Sequence, residues 1–82
     1  MSGLSLRECT EMLTSSLAYG GPKTFGQIKE LDWLKTTSEY GISLYIREAE
    51  RYGWIKIKFF ENHEQNIYSV TAKGRKMAEE RD

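Results

Sequence analysis

Eighty-two residues with 39% apolar and 29% charged side chains lie inside the ordinary globular range and outside the low-hydrophobicity, high-charge range of disordered chains. A chain this short buries only about 60% of its unfolded surface, so one small domain spanning 1–82 is expected. One cysteine and one histidine exclude a disulfide framework or a Cys/His zinc site, and no apolar run approaches the roughly 18 residues of a membrane span.

No secretory leader pattern opens the chain, so a cytoplasmic protein without metal or cofactor is expected. Net charge is zero, which is unusual for a nucleic-acid partner, since that affinity rests on neutralising phosphates. Its distribution is uneven. Residues 35–60 carry five basic and three acidic side chains, whereas the segments on either side are each slightly acidic.

Ser5 followed by Glu8 forms a capping box, and Leu6, Cys9, Leu13 and Leu17 recur behind it at helical spacing, with Met12 beside them. Gly20, Gly21 and Pro22 stop this first helix. Thr24 with Gln27 repeats the capping signal for a short second helix whose apolar face is Phe25, Ile28 and Leu31. After a connection over 32–37, a third helix starts near 36–38. Thr36 with Glu39 makes a capping box there, and Ser38 is an equally good cap.

That helix runs to Tyr52 and Gly53, where the rhythm switches to alternation. Ile55, Ile57 and Phe59 share one face, and Lys56, Lys58 and Phe60 share the other. The polar hexapeptide 61–66 separates this run from a second one over 67–71, so 54–71 reads as a β-hairpin. Thr71 then caps a last helix, with Gly74 in its first turn and Met77 and Ala78 as core contacts. The class is α+β: a three-helix core, a hairpin and a C-terminal helix.

At 100° per residue, Ile42, Tyr45, Ile46, Ala49 and Gly53 fall in an arc of roughly 100°, the core face of the third helix. Tyr40, Leu44, Arg47 and Arg51 fall almost opposite, in an arc of about 60°. A helix that needed only solvation would carry Lys and Glu there. Arginine can bond two acceptors on guanine, aliphatic groups can touch the thymine methyl, and tyrosine can bond phosphate or a base edge. Glu39 and Ser43 flank the ridge; Glu39 can accept from cytosine or serve as the cap partner of Thr36, with capping the first expectation. Exposed aromatic and aliphatic groups beside arginine also suit a protein interface, which stays open.

Other constellations are weaker. His63 between Glu61 and Glu64 lacks a supporting shell and reads as solvated loop, and Cys9 reads as a buried small hydrophobe. Trp33 is expected in the core, and at least one of Trp33, Trp54 and Phe60 is expected against the first helix or between subunits. No nucleophile and base pairing or phosphate loop is present, so the chain does not read as an enzyme.

From Thr24 onward the sequence resembles the winged helix-turn-helix regulators grouped around the MarR, PadR and ArsR families, small archaeal and archaeal-virus DNA-binding proteins being nearest in kind. "TFGQIKEL" looks like the supporting helix, "SEYGISLYIREAERYGWI" like the recognition helix, and "YSVTAKGRKMAEE" like the strand and helix after the wing. Tyr68, Thr71 and Gly74 match the "Y-x-L-T-x-x-G" pattern of those regulators.

The resemblance implies a transcription regulator that binds double-stranded DNA, with helix 38–52 in the major groove and hairpin 54–71 as the wing. Glu39, Tyr40, Ser43, Leu44 and Arg47 would be nearest the bases. Lys35, Thr36, Thr37, Lys56 and Lys58 would meet the DNA backbone, and Arg51 would lie closer to phosphate than to base. Asn62, His63 and Gln65 would reach groove edges from the wing tip. A homodimer on a palindromic site is expected. The acidic tip departs from the usual cationic wing, and a winged-helix module that binds protein without specific DNA binding is the alternative.

Overall fold

A computed structural model describes residues 4–81. It is α+β, with helices α1 (Leu6–Gly20), α2 (Phe25–Lys29), α3 (Glu39–Arg51) and α4 (Ala72–Arg81), and strands β1 (Lys23–Thr24), β2 (Ile55–Lys58) and β3 (Ile67–Val70). Single 3-10 turns cover Asp32–Leu34 and His63–Gln65. The helices start where capping side chains satisfy otherwise orphaned N–H groups. The Ser5 hydroxyl accepts from the Glu8 N–H at 3.1 Å while the Glu8 carboxylate accepts from the Ser5 N–H at 3.0 Å. Thr24 and Gln27 repeat the arrangement at 3.2 and 2.9 Å.

One open alternative is decided and three expectations are corrected. The cap of α3 is Ser38, whose hydroxyl accepts from the Gly41 N–H at 3.1 Å; Thr36 does not cap. The 3-10 turn and the bond from the Thr37 N–H to the Leu34 carbonyl (3.0 Å) carry the chain through residues 35–37, and Ser38 then has the extended backbone that an N-cap needs. Gly53 is exposed rather than part of the core face, because α3 ends at Arg51 and Gly53 turns the chain at φ 77°. Leu6 is 46% exposed, since it opens α1 ahead of the turns that meet the core. Finally, β2 stops at Lys58, so Phe59 leaves the inner face and stands 71% exposed.

A third strand joins the hairpin. The sheet order is β1-β3-β2, all antiparallel, with Lys23 opposite Tyr68 and Thr24 opposite Ile67 on one edge, and Ile55 opposite Val70 through Lys58 opposite Ile67 on the other. Two residues of β1 thus cover an edge that would otherwise leave β3 unpaired.

The core is Leu13, Leu17, Ile28, Leu34, Ile42, Ile46, Ala49, Trp54 and Ile55, with Trp33, Tyr45 and Met77 packed around it. Trp54 is the tryptophan that meets α1: its ring stacks on Tyr52 at 4.5 Å, and the Arg7 guanidinium lies 4.9 and 5.1 Å from the two rings. Helix α4 runs antiparallel to α1, since Arg81 pairs with Glu11 at 3.4 Å and Arg75 donates to the Ala18 carbonyl at 3.2 Å. The buried small residues Thr10, Thr14 and Ala18 on α1 and Gly74 and Ala78 on α4 keep bulk out of this contact. Among the described residues no helix is long and apolar enough to cross a membrane.

One corner ties α3, the hairpin and α4 together. The Trp54 carbonyl accepts from the Thr71 N–H at 2.8 Å, and the Thr71 hydroxyl lies within donating distance of the Gly53 and Trp54 carbonyls at 2.6 and 3.0 Å. The same hydroxyl accepts from the Gly74 N–H at 3.0 Å and so caps α4. A Cβ on Gly74 would collide with the Trp54 carbonyl oxygen and stand 2.8 Å from Val70 Cγ2. We expect Gly74→Ala to lower unfolding stability by about 2–3 kcal/mol, the overlap outweighing a helix-propensity gain of about 1 kcal/mol. Gly26→Ala, whose Cβ would meet only Thr24 Oγ1 at 3.9 Å, should be neutral or stabilising. Urea unfolding of the two variants checks this, and equal effects would contradict it.

Candidate nucleic-acid interface

Burial of Ile42, Ile46 and Ala49, together with Tyr45 stacked against Trp33 at 6.4 Å, fixes how α3 is rolled about its axis. Glu39, Tyr40, Ser43, Arg47, Glu50 and Arg51 are left outside. Tyr40 is 75% exposed. Leu44, expected on the open ridge, is half-buried, as is Glu48 on the same flank. That flank faces α1, whose Arg7 helps to hold the Glu48 carboxyl low. The free ridge is therefore narrower than the periodicity suggests, and consists of Tyr40, Ser43 and Arg47.

Ion pairs sort the cations around it. Arg51 is engaged by its own helix: Nε and Nη2 donate to the two Glu48 carboxylate oxygens at 3.1 and 2.8 Å, and its guanidinium lies 5.3 Å from the Tyr52 ring. The hydrogen bond from Arg51 is the main reason that the Glu48 carboxyl sits below its ordinary range. Glu39 is not a cap partner; its carboxylate takes the Lys29 ammonium at 2.6 Å and bridges α3 to α2. Lys35 lies 3.6 Å from Asp32. Arg47, Lys56 and Lys58 pair with no described carboxylate, so their charges remain available. Thr36 is exposed and Thr37 half-buried in the connection to α3.

Lys56 and Lys58 stand exposed on β2 while Ile55 and Ile57 turn inward, and the Lys58 ammonium lies 5.6 Å from the Phe60 ring. Asn62, His63 and Gln65 are exposed at the tip. The Asn62 side chain accepts from the Glu64 N–H at 3.0 Å and starts the 3-10 turn. This turn bends the tip back toward the helices. His63 and Glu64 line a groove of about 340 Å³ with Phe25, Glu39, Ser43 and Tyr68. A neighbouring cleft of about 420 Å³ lies among Thr24, Phe25, Gly26, Lys29, Glu39 and Glu64. The hairpin loop and the first turns of α3 thus share one end of the molecule. On the flank toward the hairpin, burial raises the Tyr68 phenol pKa, and the charge of Glu50 raises it further.

The sequence brought the ridge and the strand lysines to notice but missed the exposure of Phe59. The only signal for it is that the alternating run carries two adjacent phenylalanines immediately before a polar loop. Among the described residues no group of three His, Cys, Asp or Glu side chains is placed to hold a metal. What the surface offers is a guanidinium fork, two hydroxyls and two ammonium groups, suited to acceptor edges and anions.

No protein-family model matches the chain, and no curated protein matches it. Among solved structures, a transcriptional regulator from Clostridium thermocellum is similar, with a TM-score of 0.74 over 99% of this chain and 84% of that chain. At 21% identity the likeness is one of fold.

The α3 cap gives a direct check on the start of this helix. Ser38→Ala should lower stability by about 1 kcal/mol, while Thr36→Ala should change it by less than about 0.5 kcal/mol. Chemical denaturation measures both, and the reverse order would move the cap back to Thr36.

Proposed function

We propose that this chain is a single winged helix-turn-helix domain that binds double-stranded DNA sequence-specifically as a transcription regulator. Helices α2 and α3 form the helix-turn-helix, α3 enters the major groove, and the β2–β3 hairpin is the wing. The observation that carries this reading is the Tyr40, Ser43 and Arg47 ridge: it is exposed on a helix anchored by its opposite face, and its arginine pairs with no described carboxylate while neighbouring Arg51 is engaged. The fold shared with the Clostridium thermocellum transcriptional regulator supports it.

In this reading Arg47 donates its fork to guanine, and Tyr40 and Ser43 bond base edges or the nearest phosphate. Leu44 supplies apolar contact from the margin of the ridge. Glu39 accepts from cytosine only after Lys29 lets go, a release that is cheap because exposed ion pairs contribute little. Lys35, Thr36, Thr37, Lys56 and Lys58 meet the DNA backbone, and Arg51 meets phosphate in exchange for Glu48. Two copies on a palindromic site would place their α3 helices about one helical turn apart. The protein acts by binding, without catalysis or cofactor.

A protein-binding module is the second reading, favoured by the zero net charge and by Glu61 and Glu64 in the tip. Salt separates the two. Duplex binding should weaken steeply as salt rises, and no binding to mixed-sequence duplex at low salt would sink the DNA reading.

Arg47→Ala should weaken binding to a site selected from a random duplex pool by about 1–3 kcal/mol and relax preference at one base pair. Lys58→Ala should weaken all sequences alike and reduce the salt slope by about one. Fluorescence-anisotropy titrations at several salt concentrations measure both, and sequence-independent losses for both variants would contradict the placement of α3.

A further inference from the structure

Phe59 is a wholly apolar side chain at 71% exposure, and its position is built rather than frayed. Pairing ends where Lys58 faces Ile67, so the chain leaves the sheet one residue before Phe59. The next residue is pinned: the Phe60 N–H donates to Asn66 Oδ1 at 2.8 Å, and Asn66 is only 6% exposed. Asn66 and Gln65 are tied in turn, their N–H groups donating to the His63 and Asn62 carbonyls at 3.1 and 2.8 Å. The Phe60 ring lies beside the Lys58 ammonium at 5.6 Å, whereas the ring of Phe59 meets no aromatic or cationic group among the described residues.

The surroundings specify what such a ring would meet. Lys56 and Lys58 are exposed on the strand leading to it and pair with no described carboxylate, which suits phosphates along that one approach to an apolar contact. Burying two ammonium groups against an ordinary protein surface would be unfavourable without matching acids. The tip itself carries Glu61 and Glu64, and Glu64 is turned toward α2, so no cation leads it into a groove.

We propose that Phe59 is an apolar wedge that enters the minor groove of duplex DNA and partly unstacks one base step, bending the site while Lys56 and Lys58 hold phosphates on its strand side. This rests on the duplex-binding reading above and names the group by which the hairpin contributes to it. Flexible pyrimidine–purine steps are the favoured point of entry, because they unstack most easily.

The test uses a duplex of about three helical turns selected by the full chain from a random pool, with donor and acceptor dyes at its two ends. The wild type should bring the ends together. Phe59→Ala, which removes no core group, should lose most of that bend and bind roughly ten- to a hundredfold more weakly with an unchanged salt slope. Phe59→Leu keeps a wedge and should keep the bend. Wild type that binds without bending, or Phe59→Ala that bends and binds as wild type, overturns the wedge and leaves duplex binding standing. Phe59→Ala that turns a dimer into a monomer in sedimentation while bending DNA normally makes the ring a protein contact and also overturns it. Failure of the wild type to enrich any duplex at low salt overturns both readings.

Discussion

The carbonyl of Trp54 is the constraint on which the rest of the molecule depends. It follows α3 by three residues and accepts from Thr71, which joins β3 to α4. Each such hydrogen bond is worth only about 1 kcal/mol net. What makes the corner specific is excluded volume, because only a glycine at 74 lets the first turn of α4 lie against that carbonyl. The corner therefore sets three things together: where the hairpin leaves α3, where α4 begins, and how α4 runs back along α1.

The exposed surface of α3 follows from this frame. Ile42, Ile46 and Ala49 are drawn inward and Tyr45 is held by Trp33, so the helix has one stable roll and Tyr40, Ser43 and Arg47 face out. Local ion pairs then decide which charges remain available. Glu48 holds Arg51, Glu39 holds Lys29, and Asp32 lies near Lys35, while Arg47, Lys56 and Lys58 pair with no described carboxylate. A chain of zero net charge can in this way leave individual cations exposed, although Glu50, Glu61 and Glu64 carry charges of the opposite sign nearby.

Much of the fold was legible because its signals are local. The Ser5–Glu8 and Thr24–Gln27 boxes each close within one helical turn, Gly53 marks the switch from helical to alternating rhythm, and Thr71 with Gly74 marks the last helix. The features that escaped depend on distant neighbours. Strand β1 has two residues and no period of its own; it exists because β3 offers it an edge. The choice of Ser38 over Thr36 needed the 3-10 turn before it, and the Lys29–Glu39 bridge joins residues ten apart on different helices. Periodicity gave the direction of Leu44 but not the extent of the neighbour that half-covers its flank. Alternation likewise assigned Phe59 a face without showing where its partner strand would end.

The most direct measurement of the central claim is a titration of isotopically labelled protein with a mixed-sequence duplex at low salt, followed by backbone amide shifts. Shifts centred on residues 38–47 and on the hairpin from Ile55 to Phe60, fading as salt is raised, are the expected result. Shifts centred on the outer surfaces of α1 and α4, or none at any duplex concentration, would contradict it.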